Sequence, residues 1–340
     1  MKNHTLLIDG NSIGYAAQQA TKLISGGMET QAAFGMIREL RSLRQVHPEY
    51  TPFVLWDGRA QWRFDLYPPY KGSRNSTPEQ VAMKESYKRQ RPYIARLLRH
   101  LGVRQLTVTS AEADDMGGYF AKLLSSAPGS KVGLITGDED WMQLVRAATA
   151  TSGEVWWKDP RSDGKFTNHK NFYDKTGCRT PFAFLETKIL MGDGSDEITG
   201  VGGIGEKGAP EFIAEFGSVR EFWRRCDAGE FVPRLKAHKR LYEGICPLDI
   251  DQWMTNYPGD PADAKALKKY KDSWPGQGRL IYKRNFQLMQ LLKVPAPAKA
   301  DVQLDAGKFD KEAFAEVCQE LAFASILKNL DEFTNTFLQK

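Results

Sequence analysis

The chain has 340 residues with 47 Lys and Arg, 42 Asp and Glu, a formal net charge of +5 and 41% hydrophobic residues. This length suffices for one large domain or two with a sizeable core. No apolar run reaches the length of a membrane span, and the start of the chain lacks the apolar region of a secretory signal. The cysteines, with no paired spacing for zinc or a redox motif, are Cys178, Cys226, Cys246 and Cys318. We therefore expect a cytoplasmic protein with buried free thiols.

The positive charge is concentrated in one segment. Between Arg59 and Arg104 there are 11 Lys and Arg against 3 Asp and Glu, so the rest of the chain is net negative. A charge run alone is usually the solvated face of a helix, but this one is interleaved with Trp62, Phe64, Tyr67, Tyr70, Tyr87 and Tyr93. Cations that attract phosphate beside aromatic rings that stack on bases are typical of nucleic-acid binding.

Apolar runs and helical spacing alternate in the first 150 residues. Strands are predicted over 5–8, 53–56, 103–108 and 132–136, and helices over 29–46, 79–101 and 111–124. Strands alternating with helices at this spacing predict an α/β fold, a mainly parallel central sheet with helices on both faces.

The pattern changes after residue 151. We predict short edge strands over 154–158 and 165–172 and mostly helices from Pro181 onward. The predicted domains are an α/β core over 1–178 that includes the basic segment (about 59–104), a helical region over 179–293 with a glycine turn (200–208) and an insertion (about 242–277), a linker over 294–300, and C-terminal helices over 301–340.

Carboxylates recur after short apolar runs. They are Asp9, Asp57, Glu112, Asp114, Asp115, Asp138, Asp140, Asp193 and Asp196. Open α/β sheets place their sites at the carboxyl ends of the strands, where such acids meet. Converging carboxylates repel one another unless cations neutralise them, and oxygen ligands suit Mg²⁺ or Mn²⁺. The acids thus predict a divalent-metal site.

The glycine segment Gly200–Gly205 formally matches a dinucleotide-binding pattern. That pattern requires a preceding strand, whereas residues 184–191 have helical spacing, and Glu206 stands where a phosphate-binding loop needs lysine. A helix–glycine turn–helix fits better, with glycines that let a phosphodiester approach and peptide N–H groups from Pro210 onward that favour phosphate. A plain helix-capping turn remains an alternative for this segment.

These pieces together resemble the flap endonuclease, or 5′-nuclease, family, most closely its bacteriophage and polymerase-associated bacterial members. The motifs that carry the resemblance are Ile8-Asp9-Gly10, Trp56-Asp57, Arg63-Phe64, Tyr70-Lys71-Gly72-Ser73-Arg74, Glu112-Ala113-Asp114-Asp115, Thr136-Gly137-Asp138-Glu139-Asp140-Trp141, Met191-Gly192-Asp193-Gly194-Ser195-Asp196 and Gly200-Val201-Gly202-Gly203-Ile204-Gly205-Glu206-Lys207. They fall in family order over roughly residues 5–220.

The resemblance implies a helical arch formed by the basic segment and a helix-turn-helix grip on DNA. It implies a 5′-3′ exonuclease or 5′-flap endonuclease that hydrolyses DNA, or RNA paired with DNA, with two Mg²⁺ or Mn²⁺ ions. Products would carry 5′-phosphate and 3′-hydroxyl ends. The expected partners are 5′ ends, flaps and nicks of DNA, and the expected state is a monomer.

The resemblance also implies roles for individual residues. One metal ion is assigned to Asp9, Asp57, Glu112 and Asp114, and the other to Asp138, Asp140, Asp193 and Asp196. Asp115 is either a ligand or a helix N-terminal charge. Lys71 and Arg74 are expected to act on the scissile phosphate and Tyr70 to stack on a base. Gly202, Gly203, Gly205 and Lys207 are expected to contact the DNA backbone, with K⁺ at the turn. Trp141 is expected in the core.

Two other functions fit part of the pattern. One is a metal-dependent ribonuclease of a related α/β fold, although such domains are usually shorter and lack the arch and the glycine turn. The other is a non-catalytic nucleic-acid-binding module, although every position that matches the family's metal set holds an acid.

Overall fold

The structure is a computed structural model that describes residues 4–75, 77–162 and 164–338, with Arg74 and Asn75 described by their backbone alone. The chain divides into two compact units. We call the first, residues 1–62, 73–175 and 291–340, the sheet unit. We call the second, residues 63–72 and 176–290, the helical unit.

The sheet unit is built on a seven-stranded sheet with the order β11-β5-β4-β1-β6-β7-β8. The strands of the chain are β1 His4–Asp9, β2 Ile24–Ser25, β3 Met28–Glu29, β4 Tyr50–Trp56, β5 Arg104–Val108, β6 Lys131–Ile135, β7 Glu154–Lys158, β8 Phe166–Thr167, β9 Gly192–Asp193, β10 Ile198–Thr199 and β11 Val302–Asp305. The five central strands run parallel, and β11 and β8 pair antiparallel at the two edges. The predicted mainly parallel sheet is confirmed.

Helices cover both faces of this sheet. The helices of the chain are α1 Gly10–Gln18, α2 Gln31–Val46, α3 Gln61–Leu66, α4 Pro78–His100, α5 Ala113–Leu124, α6 Phe172–Thr176, α7 Pro181–Met191, α8 Gly208–Phe216, α9 Val219–Asp227, α10 Lys236–Glu243, α11 Ile250–Thr255, α12 Ala264–Asp272, α13 Gly278–Met289, α14 Lys311–Glu320, α15 Ala324–Lys328 and α16 Leu330–Leu338. Short 3-10 helices span Gly72–Asn75, Glu139–Leu144 and Lys299–Asp301.

The alternation along β4 shows how the two faces are filled. Val54 and Trp56 belong to the buried cluster that also holds apolar residues of α2 and α4. Phe53 points the other way and meets Phe120 of α5, with ring centroids 5.1 Å apart. Because successive strand residues face opposite sides, one apolar run supports both helical layers.

Helix α4 carries much of the predicted basic segment. Its start is fixed by a capping box in which the Thr77 hydroxyl accepts from the Gln80 N–H, with Pro78 at the first helical position. Ile94 and Leu97 are fully buried against the sheet unit's core. This anchors the helix, while Lys88, Arg89 and Arg99 are exposed and Lys84, Arg91 and Arg96 are partly exposed.

The structure divides the chain differently from the sequence prediction at the C-terminal end. The predicted linker over 294–300 and the predicted C-terminal helices over 301–340 fall in the sheet unit. Strand β11 extends the sheet beside β5, and Phe314 and Phe333 lie in the main core. β11 has only four residues, and none of them is fully buried, so the sequence shows no strand pattern there. The pairing of β11 with β5 was therefore not predicted.

Smaller differences concern the bounds of individual elements. The predicted strand 165–172 is only Phe166–Thr167, followed by α6, and the hairpin of β9 and β10 interrupts the helical region. All four cysteines are buried and free, as predicted. Within the described ranges no helix combines the length and apolarity needed to cross a membrane.

Candidate functional site

Three predicted acids lie at one edge of the sheet because their strands run parallel and in register. β1 ends at Asp9, opposite Leu55 of β4, and Asp57 follows the end of β4. β6 pairs with the other side of β1 and leads to Asp138. The carboxyl ends of β1, β4 and β6 thus bring these acids to the same edge, as predicted.

Asp9 is the most buried of these acids, with 7% of its surface exposed. It caps α1 by accepting from the Ser12 N–H at 2.9 Å, and it accepts from the Thr136 hydroxyl at 2.9 Å. Burial, together with the nearby negative charge of Asp57, raises the pKa of Asp9 to about 6. A cation at this position would relieve both effects.

Asp57 is held from two directions. Its oxygens accept from the Asn11 side-chain amide at 2.6 Å and from the Ala113 backbone N–H at 2.8 Å. The second bond comes from the N-terminus of α5, where backbone N–H groups favour negative charge. Neither partner was predicted, because neither contact has a signal in local sequence.

The acids at the start of α5 have different surroundings. The Glu112 N–H donates to Asp115 at 3.0 Å, and the two residues form a capping box while being 6% and 5% exposed. Asp114 accepts from the indole N–H of Trp141 at 2.7 Å. Trp141 itself is fully buried, as predicted. The capping bond of Asp115 supports its alternative role as a helix N-terminal charge.

The Asp138–Asp140 segment connects to Asp9 through hydrogen bonds. The Thr136 hydroxyl donates to Asp9 and accepts from the Asp138 N–H at 3.0 Å. Asp138 then caps the following 3-10 helix by accepting from the Asp140 N–H at 2.8 Å. Thr136 therefore links two predicted ligand groups, a role that the sequence did not indicate.

A cleft of about 670 Å³ in the sheet unit joins this acidic edge to the basic helix α4. Its lining comprises Asn11, Tyr15, Asp57, Gly58, Gln80, Met83, Lys84, Tyr87, Lys88 and Arg91. Tyr87 donates to the Asn11 side-chain oxygen at 3.2 Å, and the Arg91 guanidinium lies 3.4 Å from the Trp56 ring centroid. The cleft therefore has a carboxylate on one wall and cations on the other.

In the helical unit, the structure brings together Lys71 and Asp196, two residues with different predicted roles. The Lys71 ammonium lies 3.7 Å from the Asp196 carboxylate, and the Lys71 N–H donates to the Asp196 carbonyl at 3.0 Å. Lys71 and Glu197 both have positive φ, at 56° and 59°. Non-glycine residues seldom adopt this conformation, and such strain concentrates at functional sites. Asp193 accepts from the Ser195 N–H and hydroxyl, both at 2.8 Å.

Tyr70 does not fit its predicted role. Only 3% of its surface is exposed, and its ring packs edge-on against Phe64 at 5.4 Å, with the Lys71 ammonium 4.7 Å from its centroid. The prediction of a base-stacking ring is therefore wrong, because the ring serves as local packing. The side chain of Arg74 lies outside the described residues.

The glycine turn is an exposed loop that is anchored by two buried apolar residues. Val201 and Ile204 are buried, whereas Gly202 and Gly203 are exposed with φ of 85° and 79°. These angles favour glycine. Helix α8 begins at Gly208, earlier than the predicted Pro210, and Lys207 is exposed at its N-cap. Gly205 is also exposed, and an added Cβ there would meet open space.

The donor set fits a hard divalent cation in its chemistry, since it consists of carboxylates. Among the described residues, no three Asp, Glu, His or Cys side chains already form a group that could hold an ion. The acids of the sheet unit instead accept hydrogen bonds from amides, hydroxyls and an indole.

Together these features define an α/β domain in which a parallel sheet with an acidic edge lies beside a basic helix. The chain belongs to the 5′-3′ exonuclease family: the family model described as the N-terminal resolvase-like domain of 5′-3′ exonucleases matches residues 4–177.

Sequence relatives include bacterial DNA polymerases I. That of Bacillus subtilis (strain 168) is 32% identical over 331 residues, which cover 96% of this chain and 32% of the relative. That of Lactococcus lactis subsp. cremoris is 32% identical over 247 residues, covering 70% of this chain and 26% of the relative. The chain thus spans about a quarter to a third of these relatives.

Solved structures show the same fold. The T5 D15 protein, crystallised with metal ions, has a TM-score of 0.56 and 23% identity, covering 99% of this chain and 98% of that one. The catalytic core of Rad2 in complex with a DNA substrate has a TM-score of 0.51 and 14% identity, covering 100% of this chain and 93% of that one.

Proposed function

We propose that this chain is a structure-specific 5′-nuclease that cleaves phosphodiester bonds near 5′ ends, flaps and nicks of DNA. The observation that carries the proposal is the cleft of the sheet unit, in which Asp57 faces Lys84, Lys88 and Arg91 of α4. Cations attract the phosphate backbone, and the acids provide ligands for the ions that hydrolysis requires. Family membership over residues 4–177 supports the same activity.

The proposed site uses two Mg²⁺ or Mn²⁺ ions. By resemblance, Asp9, Asp57, Glu112 and Asp114 serve the first ion, and Asp138, Asp140, Asp193 and Asp196 serve the second, with Asp115 a weaker candidate because it caps α5. Bound ions of this kind activate water and stabilise the leaving oxygen in phosphoryl hydrolysis. The raised pKa of Asp9, to about 6, supports this assignment because a cation offsets the repulsion from Asp57.

The chain's own residues have distinct parts in this proposal. Asn11 and the Ala113 N–H fix the orientation of Asp57, and Thr136 holds Asp9. Lys84, Lys88 and Arg91 draw the substrate strand into the cleft. Lys71 and Arg74 stabilise negative charge on the scissile phosphate. The glycine turn, with Gly202, Gly203, Gly205 and Lys207, contacts the backbone of the duplex independently of base sequence.

The proposal extends further in several respects. Products carry 5′-phosphate and 3′-hydroxyl ends, RNA paired with DNA is a second substrate, and a K⁺ ion binds at the glycine turn. The helix-turn-helix of α7, the turn and α8 grips DNA. The protein acts as a monomer in the cytoplasm.

A cleavage assay tests the proposed function. The protein is incubated with 5′-labelled flap, nicked and single-stranded DNA, each with and without Mg²⁺. We expect metal-dependent release of short 5′-labelled products from the flap and nicked substrates. Cleavage of structured RNA in preference to every DNA would favour a ribonuclease, and binding without cleavage at any metal concentration would favour a non-catalytic module.

A further inference from the structure

Helix α12, in the segment predicted as an insertion, carries a dense positive charge. Lys265, Lys268, Lys269 and Lys271 fall within its nine residues, and all four are exposed. Asp272 is the acid of this helix, and its carboxylate lies 3.8 Å from Lys236 of α10. In the described part of the chain no carboxylate lies within ion-pair distance of the four lysines of α12. Like charges at this spacing destabilise a helix, so a polyanionic partner would relieve the repulsion.

Three of these lysines share one helix face. Lys265, Lys268 and Lys269 line a shallow hollow of about 500 Å³ together with Asp263 and Asp272. Residues three and four positions apart lie on the same side of a helix. The span from Lys265 to Lys269 covers about 6 Å along the helix axis. A duplex strand presents one phosphate per about 3.4 Å of axis, so this span corresponds to about two phosphate steps along one strand.

The opposite side of α12 is held by aromatic packing. Trp253 of α11 stacks on Tyr270 with ring centroids 5.4 Å apart and an interplanar angle of 18°. Tyr257 contacts the same ring at 5.1 Å, and the Trp274 indole donates to the Leu248 carbonyl at 3.1 Å. The segment is therefore a folded structure that presents its lysines outward, as expected for a binding face.

Helix α12 is connected to the glycine turn through α10. A Cβ on Gly203 would lie 3.1 Å from Ala237 of α10, and one on Gly202 would lie 3.8 Å from the Arg240 guanidinium. At the same N-terminal end α10 reaches α12 through the ion pair of Lys236 with Asp272. Lys236 and Lys239 are exposed. A basic surface thus continues from the turn across α10 to α12.

We infer that α12 is a second contact for duplex DNA, which extends the phosphate-binding surface of the glycine turn along the backbone. The inference rests on the proposed function, because it assigns a longer duplex as the substrate of the same protein. The contact is independent of base sequence, since lysines on phosphates position a duplex without reading it. It leaves the chemistry at the acidic edge unchanged.

The test is a triple variant, Lys265→Gln with Lys268→Gln and Lys269→Gln, in the full chain. Its matched control, Lys122→Gln with Lys131→Gln and Lys328→Gln, removes three exposed lysines of the sheet unit. Binding to a flap DNA with long duplex arms is measured over a salt series in Ca²⁺, and cleavage is measured in Mg²⁺. A rescue variant carries arginine at the three α12 positions.

We expect the triple variant to bind at least about tenfold more weakly and to lose about one unit of salt slope per lysine. Its cleavage rate at saturating DNA should equal that of the parent. The control and the rescue variant should match the parent in both affinity and slope. Shortening the duplex arms should abolish the difference between the triple variant and the parent.

The outcomes separate this inference from the proposed function. If the parent binds and cleaves flap DNA while the triple variant keeps the parental affinity and slope, the role of α12 is refuted and the nuclease assignment stands. If the parent neither binds nor cleaves any DNA, both are refuted. An equal loss of affinity in the control variant would also overturn the inference, because it would reflect total charge alone.

Discussion

The two units differ in how their candidate functional groups are positioned. In the sheet unit, Asp9, Asp57 and Asp138 follow parallel strands whose register places them at one edge. In the helical unit, Lys71 and Asp196 are 125 positions apart in sequence and meet through a loop contact in which Lys71 has a positive φ. Repetitive secondary structure thus positions the first set, whereas irregular backbone positions the second. We expect substitutions of the aspartates at the sheet edge to abolish cleavage. Substitutions of the loop residues Lys71 and Asp196 should lower the cleavage rate without abolishing it.

The largest effect is expected from Asp138→Asn combined with Asp140→Asn. Asparagine keeps the capping hydrogen bond of the 3-10 helix but removes two negative charges. Cleavage should fall by at least about three orders of magnitude, since metal stabilisation of the transition state is lost. DNA binding, measured by fluorescence anisotropy, should remain.

The matched control for this pair is Glu139→Gln with Asp174→Asn. Glu139 lies between the two aspartates but faces Lys165 at 3.3 Å, and Asp174 is exposed on α6. The control should cleave at the parental rate. A loss of binding in the aspartate pair that equals its loss of activity would remove these residues from the metal site.

A smaller effect is expected from Lys71→Ala. Removing one group that stabilises transition-state charge lowers the rate by about two orders of magnitude at saturating DNA. The comparison variant Lys170→Ala, at an exposed turn of the sheet unit, should leave the rate unchanged. If Lys71→Ala raises KM while kcat stays constant, Lys71 positions the substrate and takes no part in the chemical step.

For Gly205→Ala we expect weaker DNA binding and no change in the chemical step. A Cβ at this position meets open space, so the fold should tolerate it, yet it would obstruct a phosphodiester that approaches the turn. The loss of one backbone hydrogen bond to phosphate weakens binding by about three- to tenfold. Gly164→Ala, also in open space but in the sheet unit, is the control. Unchanged affinity in Gly205→Ala would place the DNA away from this turn.

The smallest effect is expected in the helical unit's pH dependence of stability. Burial raises the pKa of Glu186, although the hydroxyl of Tyr282 donates to it at 2.6 Å and the Val219 N–H at 3.1 Å. A carboxyl that binds its proton more tightly when folded stabilises the fold below its unfolded pKa, about 4.5, and loses that contribution as pH rises through the folded value.

Thermal unfolding of the parent and of Glu186→Gln between pH 4.5 and 7 measures this contribution. The melting temperature of the parent should fall more with rising pH than that of the variant. The exposed Glu206→Gln should follow the parent. Parallel curves for the parent and Glu186→Gln would show that this carboxyl does not titrate in the range.

The sequence predicted the sheet edge well because the signals there are local. An apolar run ending in an acid identifies both the strand and the side chain at its carboxyl end, as at Asp9 and after β4. Hydrogen-bond partners such as Asn11 and Thr136 were missed because their contacts join different strands and helices. Strand β11 was missed for the same reason, since it depends on pairing with a strand almost 200 residues earlier.

Tyr70 shows the limit of reading chemistry from residue type. An aromatic ring within a basic run suggested base stacking, but the ring is almost fully buried against Phe64. Composition cannot distinguish a ring that packs the loop from one that faces a ligand. The neighbouring Lys71 could not be paired with Asp196 from sequence either, because the pairing depends on loop conformation.

We propose that the acids at the edge of the sheet unit bind divalent ions. Mn²⁺ binding, followed by electron paramagnetic resonance in the presence of flap DNA, tests it most directly. We predict two bound Mn²⁺ ions per chain in the parent and in Glu139→Gln, and fewer in Asp9→Asn and in Asp57→Asn. Equal Mn²⁺ binding in all four proteins, or none in the parent, would contradict the claim.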